Sequence, residues 1–179
     1  MNVAKLENLE GERIKFVALS LEDSVAIHEF ASNKDVSRFI GWPLTQTLEE
    51  TENYIKKMLN NVEKGSHIYA NVVLKEPHKL IGTVMFFDFD KAANHAEVGY
   101  VFHQDHWGNG YGSEAMKILN DFAFNQLKLH KLHARVTSGN IGSCKVLEKN
   151  GFELEGTFRD YFYIDNTYYD CICYGKLNT

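Results

Sequence analysis

Hydrophobic and polar residues alternate in several short runs along the chain. Ile68, Ala70, Val72 and Leu74 occupy every second position, which is typical of a strand with one buried face. Comparable patterns predict further strands over residues 13–19, 80–90, 94–103, 130–137, 152–159 and 168–176.

Other segments repeat their apolar residues at helical spacing. Thr47 and Glu50 form a capping-box pair at the start of the clearest of these segments. The residues that recur behind this pair are Leu48, Thr51, Ile55, Met58, Leu59 and Val62. Ser20 and Asp23 predict a second helix start, and further helices are expected after residue 112 and over residues 140–149.

The order of these elements predicts a fold class. An antiparallel meander is followed by strand, helix, strand, helix and strand, which favours an α/β fold with a mixed sheet. The 179 residues contain two prolines and no linker-like segment, so a single domain over residues 1–179 is expected.

A glycine-rich turn between residues 107 and 113 offers the first chemical signal. Gly108, Gly110 and Gly112 alternate between a predicted strand and a predicted helix. Glycine permits positive φ and close approach of a ligand, and the free N–H groups of a helix N-terminus attract anions. The turn therefore predicts a site for a phosphate group, although a purely structural turn explains the same pattern.

Two common phosphate-binding motifs fit this turn poorly. A dinucleotide fingerprint needs an acidic residue at the end of the next strand, and that strand ends in Thr137, Ser138, Gly139 and Asn140. A Walker A loop needs Gly-Lys followed by Ser or Thr, which this chain lacks.

A second segment, residues 140–156, indicates which phosphate-containing ligand the turn binds. It resembles a signature of the GNAT superfamily of acetyl-CoA-dependent N-acetyltransferases, and residues 107–112 then resemble that family's pyrophosphate loop. The Trp107 variant of the loop, with residues 36–42, 96–100, 158–159 and 169–170, is similar to the subgroup of ribosomal-protein N-terminal acetyltransferases. The resemblance covers nearly the whole chain.

The resemblance implies a cofactor groove where the sheet splays between the strands at residues 94–103 and 130–137. The pantetheine arm of acetyl-CoA would pair with backbone groups of Tyr100, Val101 and Phe102. Asn140 would bond to the same arm while it caps the following helix, and Ser143, on a similar face of that helix, is also expected to bind the cofactor. The residues expected around the pyrophosphate are Trp107, Gly108, Asn109, Gly110, Tyr111, Gly112 and Ser113. Asn109 stands where relatives often carry a basic residue, so this site would depend on backbone donors.

Two residues are candidates for catalysis. The resemblance implies that Ser143 protonates the leaving thiolate, because the family's more usual tyrosine position is Leu147 here. Glu97 is the general-base candidate, and partial burial would raise the pKa of its carboxyl group. An alternative for Glu97 is an ordinary salt-bridged strand residue, and an alternative for Ser143 is a helical serine bonded to its own backbone. A second acid found in the ribosomal enzymes corresponds to Phe162.

Composition limits the partners and the cellular compartment that can be expected. A net charge of −5 argues against nucleic acid and anionic membranes as partners, and no segment is long and apolar enough to span a bilayer. Three cysteines without zinc spacing favour a reduced, cytoplasmic protein. His130 and His133 point to opposite faces of a strand, so no metal site is expected.

These observations predict an enzyme that transfers an acetyl group from acetyl-CoA directly to a primary amine. The acceptor is a protein N-terminus, a polyamine, an amino sugar or another small amine. Trp42 and Pro43, with aromatic and acidic residues near the C-terminus, are candidate walls of its binding site. A homodimer is one further option for partners. The alternative function is an acyl-CoA-binding sensor without turnover.

Overall fold

The structure is a computed structural model that describes residues 5–40 and 43–179. Its strands are β1 (Ile14–Val17), β2 (Ile68–Leu74), β3 (Leu80–Asp90), β4 (His95–Phe102), β5 (Lys131–Thr137), β6 (Glu153–Ile164) and β7 (Thr167–Leu177). The helices are α1 (Ser24–Ala31), α2 (Lys34–Ser37), α3 (Leu48–Glu63), α4 (Tyr111–Asp121) and α5 (Ile141–Lys149). The mixed α/β class predicted from the sequence is confirmed.

The described strands form one seven-stranded sheet in the order β1-β2-β3-β4-β5-β7-β6. Neighbours pair antiparallel except β4 and β5, which run parallel. This parallel ladder is short, with registers only from His95↔Lys131 to Glu97↔His133. Beyond it, β4 and β5 continue without pairing with each other, so the predicted splay of the sheet is present.

Helices cover both faces of the sheet. Ala115, Met116 and Leu119 of α4 pack with Leu147 of α5 on the larger core. Ile27 and Phe30 of α1 pack with Ile55 and Met58 of α3 on the opposite face. Because Val98 joins the first core and Val101 the second, β4 divides its side chains between the two faces. No helix among the described residues is long and apolar enough to cross a membrane.

The capping boxes predicted at both helix starts are confirmed. Thr47 accepts from the N–H of Glu50 and begins α3, and Ser20 with Asp23 caps a 3-10 turn that leads into α1. The sequence pattern missed α2, which has only four residues and begins at the Asn33 cap. A helix this short has too few apolar positions to show a period.

The last strand pair differs from the expected boundaries. β6 continues to Ile164 rather than ending near Arg159, and its pairing with β7 is irregular between Phe158 and Phe162. Asp160 lies inside this bulge with φ of 50° and breaks the alternation on which the sequence prediction relied.

Candidate active site

A cleft opens where β4 and β5 separate. Its floor comes from Val98 to Val101 of β4 and from Ala134 to Val136 of β5, and α5 closes one end with Ser143 and Leu147. The cavity measures about 130 Å³. Beyond the last pair of the β4–β5 ladder, the facing strand edges are free to bind an extended ligand arm.

The glycine turn lies between β4 and α4, at the start of that helix. Gly108 and Gly110 have φ of 75° and 82°, and Gly110 is the N-cap of the helix. A Cβ on Gly108 would meet nothing within 4 Å, so the turn exposes bare backbone on that side. The following N–H groups and the helix dipole fit a pyrophosphate, as the sequence indicated.

A side chain from outside the turn holds it in place. The guanidinium of Arg13 donates to the carbonyl of Asn109 at 2.9 Å and lies over the Tyr111 ring at 4.6 Å. Glu114 of α4 accepts from both the backbone N–H and Nε of Arg13, at 2.7 and 2.9 Å. Arg13 therefore brings a positive charge to a loop that has no basic residue of its own.

Ser143 and Asn140 meet at the start of α5. The side-chain oxygen of Asn140 accepts from the N–H of Ser143 at 3.1 Å, so the predicted cap is present. Both residues line the cleft. The hydroxyl groups of Ser143 and Tyr100 are 2.8 Å apart, a contact that the sequence did not reveal because 43 residues separate the two.

Tyr100 crosses from the floor of the cleft to α5. Burial raises the pKa of its phenol to about 12, despite the opposing hydrogen bond with Ser143. The phenol therefore stays protonated at neutral pH and has a hydrogen to donate. The usual tyrosine position of the family, Leu147, is buried at the wall of the same cleft.

Glu97 lines the cleft from the opposite face of β4 and is only 4% exposed. Its carboxylate accepts from Nε of Arg135 at 2.9 Å, and Nε2 of His133 lies 3.5 Å away. Burial raises the pKa of Glu97, but hydrogen bonds from His133 and Arg135 and their charges together lower it below its usual value. The raised pKa expected from the sequence is therefore wrong, because neither partner on the neighbouring strand was foreseen.

The outer wall of the cleft is apolar. Phe39, Ile40, Met85 and Phe87 line it on the face that carries Glu97. Gly139 makes room for the Phe39 ring, since a Cβ there would come within 2.7 Å of it. Phe39 also packs edge-on against Tyr169, with centroids 5.3 Å apart.

Of the other residues expected at the cofactor site, some line the cleft and some pack elsewhere. Val101 lines the cleft, whereas the Phe102 carbonyl accepts from the Trp107 indole N–H at 2.9 Å and the Phe102 ring packs in the core. Gly112 packs against Val146 of α5, and the hydroxyl of Ser113 accepts from Asn150. Trp42 lies outside the described residues.

The C-terminal hairpin supplies an aromatic surface beside the cleft. Four of its rings are more than half exposed, namely Phe158, Tyr161, Tyr163 and Tyr168. Phe162 and Tyr169 face each other across the two strands, and Asp160 donates its N–H to the Asp170 carboxylate. The surface therefore combines aromatic rings with carboxylates.

Proteins similar in sequence match most of this chain. The uncharacterized N-acetyltransferase p20 of Bacillus licheniformis is 31% identical over 87% of this chain and 88% of its own length. The spermidine N(1)-acetyltransferase of Escherichia coli is 25% identical over 89% of this chain and 83% of its own length.

Solved structures of acetyltransferases also resemble this chain in fold. A GNAT-family acetyltransferase from Bacillus anthracis superposes with a TM-score of 0.83 at 27% identity, covering 95% of this chain and 98% of that one. The ribosomal-protein-S5-alanine acetyltransferase of Vibrio fischeri superposes with a TM-score of 0.80 at 25% identity, covering 95% and 96%. The acetyltransferase (GNAT) domain family matches residues 13–153. Together with the splayed sheet and the glycine turn, this match shows that the chain belongs to the GNAT family and is an acetyl-CoA-dependent N-acetyltransferase.

Proposed function

We propose that the cleft between β4 and β5 is where a primary amine attacks the acetyl group of acetyl-CoA. One observation carries this proposal: Glu97 and the Ser143–Tyr100 pair line the same cleft from opposite faces of the sheet. A group that removes a proton from the amine and a group that gives one to the thiolate are then close to the reacting atoms, as acid–base catalysis requires.

In this proposal the Glu97 carboxylate receives the amine proton, directly or through a water. Its lowered pKa keeps it ionised at neutral pH. A weak base is sufficient here because the nitrogen proton becomes more acidic as the C–N bond forms. The carboxylate would also attract the acceptor's positive charge into an otherwise apolar cleft.

Ser143 donates a proton to the leaving sulfur and regains one from water before the next turnover, and Tyr100 supports it. The Tyr100 hydroxyl, kept protonated by burial, donates to Oγ of Ser143 and leaves the serine hydrogen free to face the cleft. The pair thus performs the role that a single tyrosine at the Leu147 position performs in much of the family.

The acceptor proposed is a protein N-terminus, a polyamine or another small primary amine. The names of relatives include a spermidine acetyltransferase and a ribosomal-protein-alanine acetyltransferase, so both classes are candidates. The carboxylates of Asp160 and Asp170 beside exposed rings suit a cation that enters along the hairpin. Three free cysteines support a reducing, cytoplasmic location, and the homodimer stays a prediction that sedimentation can test.

An acceptor panel with thiol detection tests the proposal. Spermidine, a short peptide that begins with alanine, and glucosamine are mixed separately with acetyl-CoA and the protein. We expect at least one amine to release CoA thiol in proportion to acetylated product, and Ser143→Ala to release it more slowly. Tight acetyl-CoA binding without thiol release from any amine would instead favour the sensor.

A further inference from the structure

Acetyl transfer to a protonated amine releases one proton overall. The ammonium loses two protons as it becomes an amide, the thiolate of CoA gains one, and the other goes to solvent. Under the proposed function, on which this inference rests, that proton first reaches Glu97. The side chain of Glu97 is only 6% exposed, so its carboxylate needs a partner that carries the proton onward.

Within the described part of the chain, the side chains that contact the Glu97 carboxylate are Arg135 and His133. Arg135 keeps its proton under all ordinary conditions and cannot act as a carrier. Imidazole is the side chain that gains and loses a proton near neutral pH. Of these two partners, His133 is the one that can accept the proton and release it again.

The position of His133 gives it access to solvent. Glu97 and His133 form the last pair of the β4–β5 ladder. The Glu97 carboxylate therefore has the cleft on one side and the His133 imidazole on its other side. The His133 side chain is 24% exposed and lines a second, open cavity of about 270 Å³ with Lys131 and Glu155. The two cavities share Ala134 and Arg135 as lining residues, with Glu97 in the first cavity and His133 in the second.

A second histidine extends the line toward the surface. The ring of His95 packs edge-on against His133 with centroids 5.0 Å apart, and its Nε2 lies 3.9 Å from the Asp90 carboxylate. Asp90 is half exposed. The other charged or titratable groups around this line are Asp88 of β3, Lys131 and Arg135 of β5, Glu155 of β6, and Cys173 and Tyr174 of β7.

We propose that His133 relays the amine proton from Glu97 to solvent through the second cavity. His133 acts through Glu97 and does not touch the acceptor. It takes the proton at Nε2 while the carboxylate returns to its ionised form, and it releases the proton to water on its exposed side.

Chemical rescue tests this relay with the best acceptor of the panel. His133→Ala should lower kcat roughly tenfold or more while acetyl-CoA affinity stays the same. Added imidazole, which fits the space vacated by the side chain, should restore the rate in proportion to its concentration. His130→Ala is the matched control, since His130 is exposed and precedes the same strand. This control should keep its activity and show no response to imidazole.

A second variant distinguishes loss of the proton relay from a folding defect. His133→Gln retains a donor for Glu97 but cannot carry a proton, so its kcat should fall as far as that of the alanine variant. A glutamine variant with the kcat of the unaltered chain would overturn the relay, and so would an alanine variant that folds but does not respond to imidazole. If the unaltered chain itself releases no thiol with any amine, the proposed function fails instead.

Discussion

Burial controls the chemistry of the Tyr100 hydroxyl group. The ring occupies the core face of β4, and its hydroxyl ends beside Ser143, with the two oxygens 2.8 Å apart. Neither residue alone has an unusual sequence context. Their pairing depends on how α5 packs against the sheet, so no local pattern could have revealed it.

Tyr100→Phe removes the hydroxyl that orients Ser143. Loss of one hydrogen bond of about 1 kcal/mol predicts a kcat roughly fivefold to tenfold lower, with acetyl-CoA affinity unchanged. Steady-state kinetics and calorimetry measure both quantities. Ser143→Ala should have a larger effect, and the double variant should resemble Ser143→Ala because the two groups act as a unit. Additive losses would contradict this pairing.

Glu97 links the active site to the pH dependence of stability. Since its pKa in the folded protein lies below the usual value, the ionised carboxylate stabilises the fold at neutral pH. This contribution disappears as the pH falls through the lowered pKa. Glu97→Gln should therefore destabilise the protein most at neutral pH.

The Glu97→Gln loss should be about 1–2 kcal/mol near neutral pH, less than for a fully buried pair, because the Arg135 side chain is 42% exposed. It should shrink as the pH falls through the lowered pKa of Glu97. Urea unfolding at neutral pH and in acid measures it, with the exposed carboxylate variant Glu153→Gln as control. An equal loss at both pH values would show that the charge of Glu97 contributes nothing.

At the scale of elements, the glycine turn and α4 form one structural unit. Gly110 combines positive φ with the N-cap position, and Arg13 with Glu114 holds the turn against the start of β1. The turn was predictable from the sequence because glycine is the residue favoured where the backbone needs a positive φ. It did not show Arg13, which is almost 100 residues away along the chain.

Gly110→Asp should abolish acetyl-CoA binding, since a carboxylate would enter the proposed pyrophosphate site at a residue with φ of 82°. Gly65→Asp is a matched control. Gly65 also has positive φ, of 68°, but a Cβ there meets nothing and the residue lies outside the site. Both variants should lose about 1 kcal/mol of stability from backbone strain, yet calorimetry should detect lost affinity only for Gly110→Asp. Equal affinity in the two variants would rule out the turn as the phosphate site.

The connection after β5 holds the Phe39 ring at the wall of the cleft, where we propose that the acceptor binds. Gly139 lies against the Phe39 ring, and Thr137 donates its hydroxyl to the Phe39 carbonyl at 3.1 Å. Gly139→Ala should push the ring into the cleft and raise the acceptor KM severalfold without changing acetyl-CoA affinity. Gly156→Ala, where a Cβ meets nothing within 4 Å, is the control. An unchanged acceptor KM would show that Phe39 does not shape the acceptor site.

At the scale of the whole molecule, the alternation of residues along the chain predicted the strands of the sheet, because strand periodicity is a local property. The splay of the sheet was expected only from the resemblance to the GNAT family. Partnerships across strands were not predictable in this way. Glu97 was identified as a candidate, but its partners Arg135 and His133 depend on the register of β4 against β5. The expected pKa had the wrong direction for this reason.

The arrangement of nucleophiles across the molecule favours direct transfer rather than an acetyl-enzyme. Burial raises the pKa of Cys144, and burial with its neighbour Cys173 raises the pKa of Cys171 to about 11, so both thiols are protonated at neutral pH. The Ser143 hydroxyl bonds to Tyr100, which is no base. We therefore expect intersecting rather than parallel lines in two-substrate kinetics, and no acetyl adduct in intact-mass spectra after acetyl-CoA alone. Cys144→Ala should remain active. A stoichiometric adduct on Cys144 that an added amine discharges would establish a covalent mechanism instead.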